Sequence, residues 1–133
     1  MKDINTIAYG VAELLTDLAP EIHLAPEYDL PELSTQRCVI VPVSRTSKRV
    51  SRKKTAVEYQ YNLEIGLMYR AKELDNNALL KQTQEVADLL LGSQIRGARC
   101  IKADPAPLYD AEQIRERNQF TAVISVIYKE FEM

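Results

Sequence analysis

The chain has 133 residues, of which 46% are hydrophobic and 27% are charged. This length and composition are typical of one globular domain with a modest core, and we expect residues 1–133 to form a single domain. No apolar run approaches the roughly 20 residues that cross a bilayer, and the first residues lack the apolar tract of a signal peptide. We therefore expect a soluble intracellular protein that does not contact membranes.

The net charge of −2 conceals an uneven distribution. Residues 45–54 contain six basic and no acidic side chains, so the rest of the chain carries a charge of −8. The six basic residues are Arg45, Lys48, Arg49, Arg52, Lys53 and Lys54. Such asymmetry indicates a surface that meets an acidic partner, either nucleic acid or an acidic protein face.

Helical periodicity occurs twice. Apolar residues recur at three- and four-residue spacing over residues 4–18, which predicts a first helix with Asp3 as its N-terminal cap. Gly10 lies inside this helix and indicates a close packing contact. The same spacing over residues 75–92 predicts a second helix, with Asp75 or Asn76 as its cap and Gly92 or Gly97 as its terminator.

A long β-hairpin is predicted over residues 37–70. Its second strand alternates cleanly, and its apolar face comprises Val57, Tyr59, Tyr61, Leu63, Ile65, Leu67 and Tyr69. Tyrosines on such a face favour core and interface packing over a base-stacking platform. Pro42 places either a sheet edge or a bulge in the first strand. The basic residues 45–54 are predicted to form a projecting loop between the strands.

Three further segments have strand character. Residues 21–30 alternate roughly around Pro26, which predicts a short edge strand or an extended arm. Residues 98–102 predict a short strand, and the prolines that follow predict a rigid connector over residues 104–107. Residues 119–131 are apolar on one face and partly so on the other, which is typical of a strand that is central in its sheet or covered by a partner on its outer side. This order predicts an α+β domain in which a single antiparallel sheet of four to five strands carries two helices on one face.

The motifs of most enzyme classes are missing from the sequence, including GxGxxG, the P-loop, HExxH and GxSxG. The single histidine, His23, favours a solvated or packing role, and Cys38 and Cys100 lack CxxC spacing and favour buried free thiols. The nearby carboxylates of Asp104, Asp110, Glu112 and Glu116 could serve acid–base or metal chemistry, but a solvated loop explains them more simply. We therefore predict no enzyme, no cofactor and no metal.

The basic loop is the main functional candidate. It is either a solvated hairpin tip or an arm that meets phosphates or an acidic protein surface. Because residues 45–54 contain no aromatic side chain, any contact with nucleic acid would involve its backbone without sequence specificity. The end of the chain, with Tyr128 and Phe131, is a second candidate for intersubunit contact.

Two segments resemble a known family. They are Arg49-Val50-Ser51-Arg52 followed by the strand through Tyr59 and Tyr61, and Leu108-Tyr109-Asp110-Ala111-Glu112-Gln113-Ile114-Arg115 leading into Gln119-Phe120-Thr121. Both are similar to the lambda-type tail terminator, or tail completion, proteins of tailed bacteriophages. The resemblance implies a non-enzymatic virion protein that forms a homohexameric ring. Such a ring would cap the tail tube, join it to the head connector and be found in the host cytoplasm during assembly.

Three alternatives remain open from the sequence. One is another neck, head-closure or sheath-capping component of the same head–tail junction. Another, of a different class, is a small nucleic-acid-binding module that uses the basic loop without sequence specificity. For the ring itself, non-specific contact with DNA in its lumen also stays open. An enzyme is the third, and it would need a pocket with convergent carboxylates.

Overall fold

The computed structural model describes residues 3–25, 28, 30–31, 34–49, 56–70, 76–105 and 119–132. In chain order these form helix α1 (Ile4–Leu14), a 3₁₀ turn (Thr16–Leu18), strands β1 (Glu21–Ile22), β2 (Gln36–Arg49) and β3 (Val57–Arg70), helix α2 (Asn76–Leu91), and strands β4 (Gln94–Ile95), β5 (Ala98–Pro105) and β6 (Gln119–Glu132).

The strands form one mixed six-stranded sheet in the order β1-β2-β3-β6-β5-β4, which curls into a half-barrel. β1 runs parallel to β2, and the remaining neighbours are antiparallel. The prediction of a single antiparallel sheet with four to five strands is therefore wrong in strand number and in direction. The sixth strand, β4, has only two residues, and a segment so short has no periodicity to detect.

The parallel pairing follows from how the chain connects β1 to β2. Parallel neighbours require a crossover, and two described residues of this connection, Tyr28 and Leu30, pack on the outer face of the sheet against Val39, Val41 and Met68. The Tyr28 hydroxyl donates to Glu64 Oε2 at 2.8 Å, and the Leu30 amide donates to Gln119 Oε1 at 3.1 Å. The prediction of an edge strand or arm over residues 21–30 is thus confirmed as a strand only for Glu21–Ile22.

The main core lies on the inner, concave face of the half-barrel. The predicted apolar face of β3 is confirmed, because Tyr61, Leu63, Ile65, Leu67 and Tyr69 are all buried there. Packing of the tyrosines in the core is likewise confirmed for Tyr61 and Tyr69. β6 lies between β3 and β5, so its predicted central position is correct.

Helix α1 closes the open side of the half-barrel. It contacts β1 and β2 near one sheet edge and β4 at the other, while α2 packs on β5 and β6. A Cβ atom added to Gly10 would lie 2.5 Å from Cγ2 of Ile95, which confirms the predicted close contact. The Asp3 cap is also confirmed, because its carboxylate accepts from the Asn5 amide at 2.9 Å.

Element ends differ from the sequence predictions in three places. α1 ends at Leu14, and the chain continues as a 3₁₀ turn before Ala19 turns it with a φ of 48°. β2 extends to Arg49 through a bulge between Pro42 and Ser44, which confirms the bulge predicted at this proline. β5 extends to Pro105, where the sequence predicts a connector.

Candidate interaction surface

Half of the predicted basic loop is strand. Arg45, Lys48 and Arg49 lie on β2, which stays paired with β3 to its last residue. The sequence does not reveal this extension, because residues 44–49 are polar on both faces and lack the apolar alternation of the partner strand. Arg52, Lys53 and Lys54 lie outside the described residues.

The three described cations do not share one face of the strand. Arg45 and Arg49 pair across the ladder with residues of the inner face of β3, whereas Lys48 pairs with Glu58 on the outer face. A surface that follows nucleic-acid phosphates usually gathers its cations along one face. Because Lys48 lies on the opposite face from Arg45 and Arg49, the positive charge is instead divided between the two faces of β2.

Arg45 is held by its own chain. Its guanidinium carbon lies 4.6 Å from the centroid of the Tyr59 ring, and that ring stacks on Tyr61 with centroids 6.5 Å apart. The Tyr61 hydroxyl donates to the buried carboxylate of Glu130. Burial, reinforced by this hydrogen bond, raises the pKa of Tyr61 above its ordinary value. Arg45 therefore contributes to this inner-face cluster, with a cation–π contact of about 0.5–1 kcal/mol.

Lys48 and Arg49 are exposed, and neither forms an ion pair within the part of the chain that the structure describes. Glu58, which pairs with Lys48 in the ladder, instead forms an ion pair with Lys129, whose Nζ lies 3.2 Å from Glu58 Oε1. These two cations are the described residues of the basic segment that are best placed to meet a partner.

The outer edge of this part of β2 is open. β1 covers the edge only at Val39 and Ile40, so the strand from Val43 to its end has no outer neighbour among the described strands. The seven residues from Val43 to Arg49 span about 20 Å of extended chain. An uncovered strand edge of this length offers backbone hydrogen-bonding groups as well as charge.

The two candidates near the end of the chain have different surroundings. Tyr128 is fully buried, and its hydroxyl lies 2.5 Å from Ser93 Oγ. Burial raises the pKa of Tyr128 to about 12. Its side chain therefore belongs to the core and is not presented at the surface. Phe131 is 66% exposed on the outer face, where it pairs with Glu58 in the ladder, and it stays a candidate for contact.

A second surface, which the sequence analysis does not identify, is a cleft of about 250 Å³ between α1 and α2. We call it the helix cleft, and it is lined by Leu14, Leu15, Asp17, Leu18, Gln82, Glu85, Val86 and Leu89. Leu14 and Leu89 are 40% and 50% exposed. Helical spacing predicts that Leu14 is buried, so the pattern of apolar residues does not reveal this surface. The sequence feature that could have indicated this surface is an acidic residue one helical turn from each exposed leucine, Asp17 after Leu14 and Glu85 before Leu89.

The remaining candidates are structural. His23 Nε2 lies 3.1 Å from Glu21 Oε1 and 3.3 Å from Arg37 Nη2, so this histidine belongs to a small polar cluster at the edge of the sheet. Cys38 and Cys100 are buried and free, as predicted. Asp104 is exposed on β5, whereas Asp110, Glu112 and Glu116 lie outside the described residues.

Within the described ranges, no group of three or more His, Cys, Asp or Glu side chains could hold a metal ion. None of the helices described has the length and apolar character needed to span a bilayer. No protein-family model matches the chain, and no curated protein shows significant similarity to it.

Proposed function

We propose that this chain is a virion structural protein without enzymatic activity, a tail terminator whose copies assemble into a ring that caps a bacteriophage tail tube and joins it to the head connector. The resemblance of the two segments described above supports the proposal. The observation that carries it in the structure is the end of β2, residues 43–49, which we call the strand end. It is paired with β3, has no described strand on its outer edge and presents two exposed cations.

This strand end suits a ring subunit for a physical reason. β3 pairs with β2 on one side and with β6 on the other along its whole length, so the strand end is presented by a rigid three-stranded base. A ring needs two different contact surfaces on each subunit, because the same contact is repeated head to tail until the ring closes. The strand end supplies one of these surfaces.

A neck or head-closure ring would use the same surfaces, and the identity of the neighbouring proteins in a particle would distinguish it from a tail terminator. A nucleic-acid-binding module is the alternative of another class. The distribution of cations over both faces of β2 disfavours it, because a phosphate-tracking surface would gather them on one side.

The oligomeric state of the purified chain tests the proposal. Six copies of the 15.1 kDa chain form a particle of about 91 kDa, and we expect light scattering coupled to size-exclusion chromatography to find that mass and electron microscopy to show closed rings. A monomer at every concentration and salt condition would refute the proposal. A monomer that binds duplex DNA with steep salt dependence would support the nucleic-acid module instead.

A further inference from the structure

The strand end and the helix cleft have complementary chemistry. The helix cleft has an apolar floor, and among the described residues its lining includes the acidic Asp17 and Glu85 but no basic residue. Both carboxylates belong to exposed residues. The cleft also contains the carboxyl end of α1, which ends at Leu14, and the partial negative charge of a helix carboxyl end adds to the attraction for cations.

The strand end offers the opposite charge. Lys48 and Arg49 are exposed, and Val43, at the start of the open edge, is 54% exposed. The aliphatic stems of lysine and arginine cover apolar surface while their charged heads reach toward acidic groups. Such side chains could cover the exposed leucines of the helix cleft and place their cations at its acidic rim.

The partner that fits the cleft is a strand end from another molecule. Within one chain, β2 is paired with β3 as far as Arg49, and Arg45 is fixed over Tyr59. Folding this strand back onto its own helices would break that pairing. The neighbouring groove between α1 and β4 is a poorer receptor, because its lining contains both Glu13 and Arg96 and so favours neither sign of charge.

We propose that the helix cleft of one copy receives the basic strand end of the next copy, with Lys48 and Arg49 paired to Asp17 and Glu85. This contact joins two different surfaces, so it propagates head to tail and fits a closed ring. The inference rests on the proposed function, because it assigns both sides of the contact between ring subunits.

Charge reversal tests the contact. The strand variant carries Lys48→Glu with Arg49→Glu, and the cleft variant carries Asp17→Lys with Glu85→Lys. We expect each to weaken self-association by about tenfold or more in sedimentation at low salt, because two attractions become repulsions. The variant that combines all four changes should recover association to within a few fold of the parent protein. Arg99→Glu with Lys102→Glu, at two exposed sites on β5 that line neither groove, is the matched control and should leave association unchanged.

A cross-linking experiment keeps the test independent of folding defects. Arg49→Cys and Glu85→Cys proteins, each folded by circular dichroism, are mixed under mild oxidation. A disulfide-linked heterodimer is expected from the mixture, with less product from either variant alone. The native thiols are buried and should not compete.

The outcomes separate the two proposals. If neither charge reversal weakens the closed rings, this contact is overturned. The same follows if the combined variant fails to restore them. In both cases the proposal of a ring stands. Charge-dependent association that produces open chains without rings would support the contact and contradict the ring. If the parent protein stays monomeric and the two cysteine variants give no cross-link, both proposals are overturned.

Discussion

Replacing Gly66 by alanine should test how the crossover segment is held on the outer face of the sheet. A Cβ atom at Gly66 would lie 2.5 Å from Cε1 and 2.6 Å from Cδ1 of the Tyr28 ring. Real carbon atoms do not approach so closely, so the ring must move. That movement would strain the hydrogen bond from the Tyr28 hydroxyl to Glu64, which is 2.8 Å long.

The expected magnitude follows from three opposing contributions. Overpacking costs about 1–3 kcal/mol, and weakening a hydrogen bond to a charged acceptor costs up to about 1.5–3 kcal/mol. Alanine recovers about 0.5–1 kcal/mol, because glycine in a strand loses more backbone entropy on folding. We therefore expect Gly66→Ala to lower the free energy of unfolding by about 2 kcal/mol.

Urea unfolding followed by circular dichroism measures this loss. In a Tyr28→Ala background the obstructing ring is gone, so Gly66→Ala should be neutral or slightly stabilising there. Gly92→Ala is the matched control, because its Cβ would contact backbone oxygens only at 3.7 Å and 3.9 Å. Equal destabilisation by Gly66→Ala with and without Tyr28 would refute the reasoning.

Three further predictions concern other parts of the chain. Gly97 has a φ of 89°, so Gly97→Ala should lower the free energy of unfolding by about 1 kcal/mol in thermal unfolding. Arg37, and then His23, lower the pKa of Glu21 below 4.5 in the folded state, so the stability from this pair is present above about pH 4.5 and is lost as the pH falls through the folded-state value. Urea unfolding at pH 5 and pH 3 should accordingly show a smaller acid-induced loss in Arg37→Gln than in the parent, and an equal loss would contradict the linkage. Burial raises the pKa of Cys38 to about 12 and also raises that of Cys100, so a thiol reagent at pH 8 should modify both quickly only after denaturation.

Much of the candidate surface could be located from the sequence, but its structure could not. The excess of basic residues at positions 45–54 is visible in the sequence, and the structure places Lys48 and Arg49 at the surface. That Arg45 lies over the Tyr59 ring depends on which strand lies beside it, and a strand pattern does not specify its neighbour. The burial of Tyr128 depends on long-range packing in the same way.

The helix cleft shows the limit of periodicity most clearly. The spacing of Leu14 predicts that it faces inward, yet the residue is 40% exposed, because it lines a cleft between α1 and α2. Helical spacing reports which residues share one face of a helix. It does not report how closely a second helix approaches that face.

The sequence by itself determined both helices and the second strand of the hairpin, because each has an apolar period that repeats over many residues. Apolar runs indicated the first half of β2 and the terminal strand, whereas the polar end of β2 carries no such signal. Only the tertiary structure decided that the sheet has six strands, that β1 runs parallel to β2, and that α1 bridges its two edges. The physical reason is that two-residue strands are too short to have a period of their own. Such strands, and the connection between β1 and β2, take their place from contacts with residues far away in the chain, such as those of Tyr28 with Glu64 and of Leu30 with Gln119.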